Sequence, residues 1–209
     1  LKTVKNNLIE NNLIPFRGPI NRQTLSCAED LAYKLINNDK FGFKNPNDVY
    51  ENEIEIVLLG DSYAEGLCEN EKNDIAGHLR NEKFNTLNLG VTGSGPLLSL
   101  ATLKEYGSKF SPKNVVYLYF EGNDLIDLEW EKKTYLINYL EPEFKLDYLN
   151  SSKKIIKFLN DVHEEKILIM KAAYSNENKI MKIEKNLFAT TKDILELTSL
   201  KSILRSNSF

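Results

Sequence analysis

Cysteine, histidine, methionine and tryptophan are all scarce in this 209-residue chain, at two, two, two and one residues respectively. Two cysteines, Cys27 and Cys68, are too few for a disulfide framework and lack the C-x-x-C spacing of a metal or redox site. They are either two buried thiols or one bridge from the amino-terminal segment to residue 68. A bridge requires an oxidising compartment, and by closing a loop of about 40 residues it would contribute roughly 4 kcal/mol in the chain-entropy model. No cluster of metal-ligating residues stands out. Basic residues are not in excess: Lys and Arg number 27 against 30 Asp and Glu, with the signs interspersed, so the electrostatic footprint of a nucleic-acid binder is missing. Long apolar runs are missing too, none approaching the roughly 18 residues of a membrane-spanning helix. The chain begins at Leu1, so a preceding signal or anchor is left open and localisation is not fixed by these residues.

What is present is enough apolar sequence, 42% of residues, to build one globular core. Residues 51–209 read as the main domain and residues 1–50 as an extension packed on it. In the extension, Pro15, Gly18 and Pro19 break any long helix, Thr24–Ile36 reads as short strands or one short helix, and Phe41 and Phe43 are expected to cover an apolar edge. The main domain alternates strand and helix. Ile54–Leu59 is a short apolar run that stops at Gly60-Asp61-Ser62, the pattern of a buried strand delivering a hydroxyl at its carboxyl end. A helix follows over Asp74–Arg80 with Ile75 and Leu79 toward the sheet, then a strand over Phe84–Leu89 ending in Asn88-Leu89-Gly90-Val91-Thr92-Gly93-Ser94-Gly95. Pro96 opens a helix reaching Phe110. Val115–Phe120 is a third strand, ending in Glu121-Gly122-Asn123-Asp124. Such alternation predicts a parallel sheet with helices on both faces.

Three successive strands thus end in glycine and small polar residues, and in open α/β sheets the carboxyl ends of strands are where ligands bind. Acyl transfer needs a nucleophile and hydrogen-bond donors aimed at the developing oxyanion. Ser62 offers the hydroxyl; its own N–H, the N–H of a glycine in the second loop and the Asn123 amide offer the donors.

Gly60-Asp61-Ser62, the Asn-x-Gly-x-x-Gly pattern of Asn88–Gly93, and Gly122-Asn123-Asp124 together resemble the first three sequence blocks of the SGNH (GDSL) hydrolases, in the family's order. The resemblance covers about residues 52–128 closely, and the segments Phe41–Pro46 and Tyr119–Leu125 resemble an uncharacterised bacterial branch. It implies a flavodoxin-like three-layer α/β/α sandwich with a mostly parallel sheet, and hydrolysis or transfer of acyl groups on lipids, small esters or acetylated carbohydrates without cofactor or metal. By position it makes Ser62 the nucleophile and Gly93 and Asn123 oxyanion donors, with Gly60, Asp61 and Asp124 in supporting roles and Gly90 suited to the strand exit. A cell-envelope or extracytoplasmic setting also follows from the resemblance.

The family's fourth block, Asp-x-x-His, is not in this chain. His78 is expected at a helix surface, and Asp161-Val162-His163 is one residue short of the family spacing. The resemblance therefore places the base beyond Phe209, with residues 1–209 inert alone. The alternative is a non-catalytic acyl- or carbohydrate-binding module that keeps the fold. A phosphate cradle at Gly90–Gly95 is disfavoured, because no Walker lysine follows and Pro96 interrupts it. After Ser111, Tyr117, Tyr119, Trp130, Tyr135 and Tyr139 read as core or as pocket lining, and Glu129–Lys133 as a solvated charged run. Helices are expected over Lys153–Asn160 and Asp193–Leu204, with the apolar run Lys166–Ala172 between them a strand or a helical continuation.

Overall fold

The computed structural model describes residues 18–26, 34–147 and Lys157. Cys27, His163, the first segment to Leu13 and, Lys157 apart, the elements expected after residue 147 lie outside the described residues. A hairpin of β1 (Gln23–Ser26) and β2 (Lys34–Asn37) pairs antiparallel, so the Thr24–Ile36 stretch does hold short strands. The main sheet has β3 (Ile56–Gly60) in the middle, between β4 (Thr86–Asn88) and β5 (Asn114–Leu118), with both neighbours parallel to it. The architecture is mixed α/β.

Alternation along β3 divides the core. Val57 and Leu59 join Leu87, Leu89, Leu97, Ala101, Tyr106 and Tyr139 in one cluster, while Leu58 packs with Ala64 and Ala76 in another. Those alanines lie on α1 (Ser62–Glu65) and α2 (Ile75–Asn81). The short α1 ends at Gly66, whose φ of 68° is the left-handed conformation favoured after a helix. In α2 the inward residues differ from the expected pair: Ala76 and Gly77 are buried, and Ile75 is 41% exposed. The cause is close packing, since a Cβ on Gly77 would stand 2.4 Å from the Glu71 carbonyl oxygen. Turning that glycine inward rotates Ile75 outward.

The helical run from Pro96 is continuous but changes pitch. It is α-helical over α3 (Pro96–Thr102), widens to a π turn over Leu103–Gly107 and tightens to a 3₁₀ turn over Ser108–Phe110. After β5 comes α4 (Asp124–Glu131), then a 3₁₀ turn over Tyr135–Leu140. That turn is fastened by Tyr139, whose hydroxyl donates to Glu105 Oε1 at 2.7 Å, and by Lys104 Nζ, which donates to the Tyr139 carbonyl at 3.0 Å. Tyr139 is thus core, whereas Tyr119 is 50% exposed. Among the described residues no helix is long and apolar enough to cross a membrane, and no group of metal-ligating side chains forms.

Candidate functional site

Parallel pairing sends the carboxyl ends of β4, β3 and β5 to one rim of the sheet. Ser62 follows β3 by two residues, Gly93 follows β4 by five and Asn123 follows β5 by five. Their loops are tied together. Val91 N donates to the Gly60 carbonyl at 3.0 Å and Ser94 Oγ to the same oxygen at 2.8 Å. The half-buried Glu65 accepts from Thr92 N at 2.6 Å and from Thr92 Oγ1. Tyr63 and Phe120 rings meet with centroids 5.1 Å apart, joining the first loop to the third.

Local chemistry explains each turn. Gly60 has φ of 140°, and a Cβ there would lie 2.7 Å from the Leu118 carbonyl oxygen, so only glycine lets the strand leave the sheet at this point. Asp61 caps α1: it is buried and its Oδ1 accepts from Tyr63 N at 2.9 Å. Ser62 is the first residue of α1 and half-buried, and its hydroxyl makes no hydrogen bond among the described residues. Gly90 fits against α1 backbone, where a Cβ would be 2.4 Å from Glu65 N, and its own N–H donates to Asn88 Oδ1 at 2.9 Å.

The Gly90–Gly95 loop satisfies its backbone donors almost completely. Val91 and Thr92 donate as above, Ser94 N donates to the Val91 carbonyl and Gly95 N to Glu131 Oε1. Gly93, with φ of 80°, is the exception: its N–H has no partner among the described residues. In the third loop, Asn123 Nδ2 donates to Asp127 Oδ2 at 2.6 Å, one of the two amide hydrogens. Asp124 is fully buried; its Oδ2 accepts from Tyr117 OH at 2.8 Å and Phe120 N at 2.9 Å, which holds the loop. Burial, helped by that bond to Asp124, pushes the Tyr117 phenol far up. Burial also raises the Glu65 carboxyl against the opposing pull of the two Thr92 bonds.

The segment before β3 is structural wiring as well as cover. Phe43 and Val49 belong to the core, and Phe41 packs against it. Lys44, buried and nine-tenths or more out of solvent, donates Nζ to the carbonyls of Gly66 and Glu69, both at 2.6 Å, and pairs with Asp74 Oδ2 at 3.1 Å. It thereby anchors the loop that follows Ser62. Asn45 extends β4: its Oδ1 accepts from Asn88 N at 2.8 Å and its Nδ2 donates to the Asn88 carbonyl at 2.8 Å and to Asp39 Oδ2 at 2.9 Å. Asn45→Ala leaves that buried edge unsatisfied and is expected to cost about 1–3 kcal/mol in denaturant unfolding. Nothing in the periodicity of the sequence marks Lys44 or Asn45; only a lysine and an asparagine inside an aromatic turn hint at them.

Glu131 departs from the solvated run expected over Glu129–Lys133. Glu129, Lys132 and Lys133 are exposed, but Glu131 is 3% exposed and faces the second loop. Helical phase separates it from its neighbours. Cys68 is disulfide-bonded. His78 is exposed on α2, away from the buried face of that helix. The cavity lined by Asn52, Glu53, Glu55, Arg80, Lys83, Phe84, Asn85 and Lys113 lies at the opposite, amino-terminal end of the strands. No family model matches this chain, and neither a curated protein nor a solved structure matches it.

Proposed function

We propose that this rim is the acyl-transfer site of a serine ester hydrolase or acyltransferase of the SGNH (GDSL) type, on a flavodoxin-like three-layer sandwich. Ser62 Oγ, losing its proton to a base, attacks the ester carbonyl; the acyl C–O bond breaks, the alcohol leaves with that proton, and water or a second alcohol then takes the acyl group from Ser62. The N–H of Gly93 and the second amide hydrogen of Asn123 receive the oxyanion, and the proton acceptor comes from outside the described residues. The observation that carries this reading is selective: along Gly90–Gly95 the one backbone N–H without a partner among the described residues is that of Gly93. An unpaired donor on a loop otherwise saturated is what a site for a transient negative charge requires. The substrate class is an acyl or acetyl ester of a lipid, small molecule or carbohydrate. A non-catalytic module binding the same ligands is the second reading, favoured by the exposure of His78, the one described histidine.

A fluorophosphonate probe applied to the full-length protein tests the proposal. Labelling confined to Ser62 is the expected result. A protein that binds an acylated ligand yet takes up no probe would instead be the binding module.

A further inference from the structure

Asn123, Asp127 and Glu131 recur every four residues and share one face of α4. Asp127 and Glu131 are each 3% exposed, although both are carboxylates. Asn123 leans on Asp127 through the 2.6 Å bond already described. Glu131 reaches across to the start of α3, where Oε1 accepts from Gly95 N at 2.7 Å and Oε2 from Leu97 N at 2.8 Å. The first N–H groups of a helix lack intrahelical acceptors, and the cap residue of α3, Gly95, has no side chain to supply one. Glu131 supplies both acceptors from a different helix. The fit is close: a Cβ on Gly95 would lie 2.8 Å from Asp127 Cβ and 2.8 Å from Glu131 Oε2.

We propose that Glu131 is a positioning residue for the site described above: by gripping Gly95 and Leu97 it sets where the Gly93 N–H stands relative to Asn123, which heads the same helical row. The inference rests on the acyl-transfer reading. Two donors on separate loops serve one oxygen only if their separation is fixed, and a single rigid helix holding both loops fixes it. Misplacement of reacting groups by about 1 Å costs on the order of 100-fold in rate.

The grip depends on charge. Burial, with Asp127 nearby, pushes the Glu131 carboxyl up to about 7, against the lowering effect of the backbone donors. The groups around it are Asp127 on its own helix and Tyr117 on β5, while α3 and the turn before it present backbone N–H groups. Protonation removes one of the two acceptors. The sign for stability is opposite to that for the grip. A carboxyl whose folded-state value lies above its unfolded value of about 4.3 gives stability present in full below about 4.3 and lost as the pH rises through about 7. The clamp is therefore tightest where this group stabilises least.

The experiment is a pH titration of the ¹⁵N-labelled full-length protein from about 5 to 9, following the Gly95 and Leu97 amides, alongside the rate of fluorophosphonate labelling at Ser62. Both amides should titrate together with a midpoint near 7 and lose that step in Glu131→Gln. At pH values above that step, Glu131→Gln should label about 10- to 100-fold more slowly than the wild type. Amides that do not titrate overturn the clamp, and the wild-type titration alone decides this if the variant fails to fold. Titrating amides with equal labelling of wild type and variant overturn the positioning role while leaving the esterase reading intact. Titrating amides with no labelling at any pH remove the esterase reading, and with it the role assigned to Glu131.

Discussion

Lys44→Met is expected to destabilise the protein by about 3–5 kcal/mol in denaturant unfolding, the range for breaking a buried ion pair from one side. The side chain of Lys44 is 2% exposed and that of Asp74 fully buried. Methionine keeps most of the aliphatic volume, so the loss reports charge and hydrogen bonds. It leaves the buried Asp74 carboxylate without its counter-charge and takes one donor from each of the carbonyls of Gly66 and Glu69. Asp74 cannot swing out to recover solvent, because its Oδ1 caps α2 through Gly77 N at 2.7 Å. Adding Asp74→Asn should give back part of the loss, so the double variant costs less than the sum of the single ones. A loss below about 1 kcal/mol would be the behaviour of a solvated surface pair and would contradict the burial.

The largest effect on activity is expected at Ser62. In the full-length protein, Ser62→Ala should lower ester turnover by roughly 10⁶-fold, the size seen when the nucleophile of a serine triad is removed. Substrate affinity should change little, since the hydroxyl contributes a bond to the reaction and almost no contact area. Folding should also be preserved: Ser62 is half-buried, its hydroxyl has no partner among the described residues, and the cap of α1 belongs to Asp61. Turnover that survives the substitution would assign the chemistry to another group.

Much of this arrangement is legible in the sequence, and the part that is not shares a physical cause. The strands show because an apolar run ending in Gly60-Asp61-Ser62 has few alternatives. The three strand ends show because glycine marks places where backbone must turn or approach closely, as the contact between Gly60 and the Leu118 carbonyl illustrates. The inward face of α2 is not legible because helical periodicity ranks Ile75 above Gly77 by hydrophobicity, whereas the backbone of Glu71 and Lys72 admits only the glycine. Glu131 was hidden inside a charged run, where composition signals solvent exposure, and its partners are backbone N–H groups more than thirty residues away. Lys44 and Asn45 are hidden for a related reason: besides the carboxylates of Asp74 and Asp39, their partners are backbone carbonyls and amides, which carry no residue identity that a sequence could display.

The proposed chemistry requires Ser62, Gly93 and Asn123 to act on one point in space. Asn123→Ala tests it most directly, through the rate at which a fluorophosphonate labels Ser62 in the full-length protein. If the three converge, labelling of the folded variant should slow by about 10²- to 10³-fold, the cost of one oxyanion donor, alongside a separate stability loss of about 1–3 kcal/mol from the missing bond to the buried Asp127. Ser62 that reacts as fast without the Asn123 amide as with it would show that the two loops do not meet at a common site.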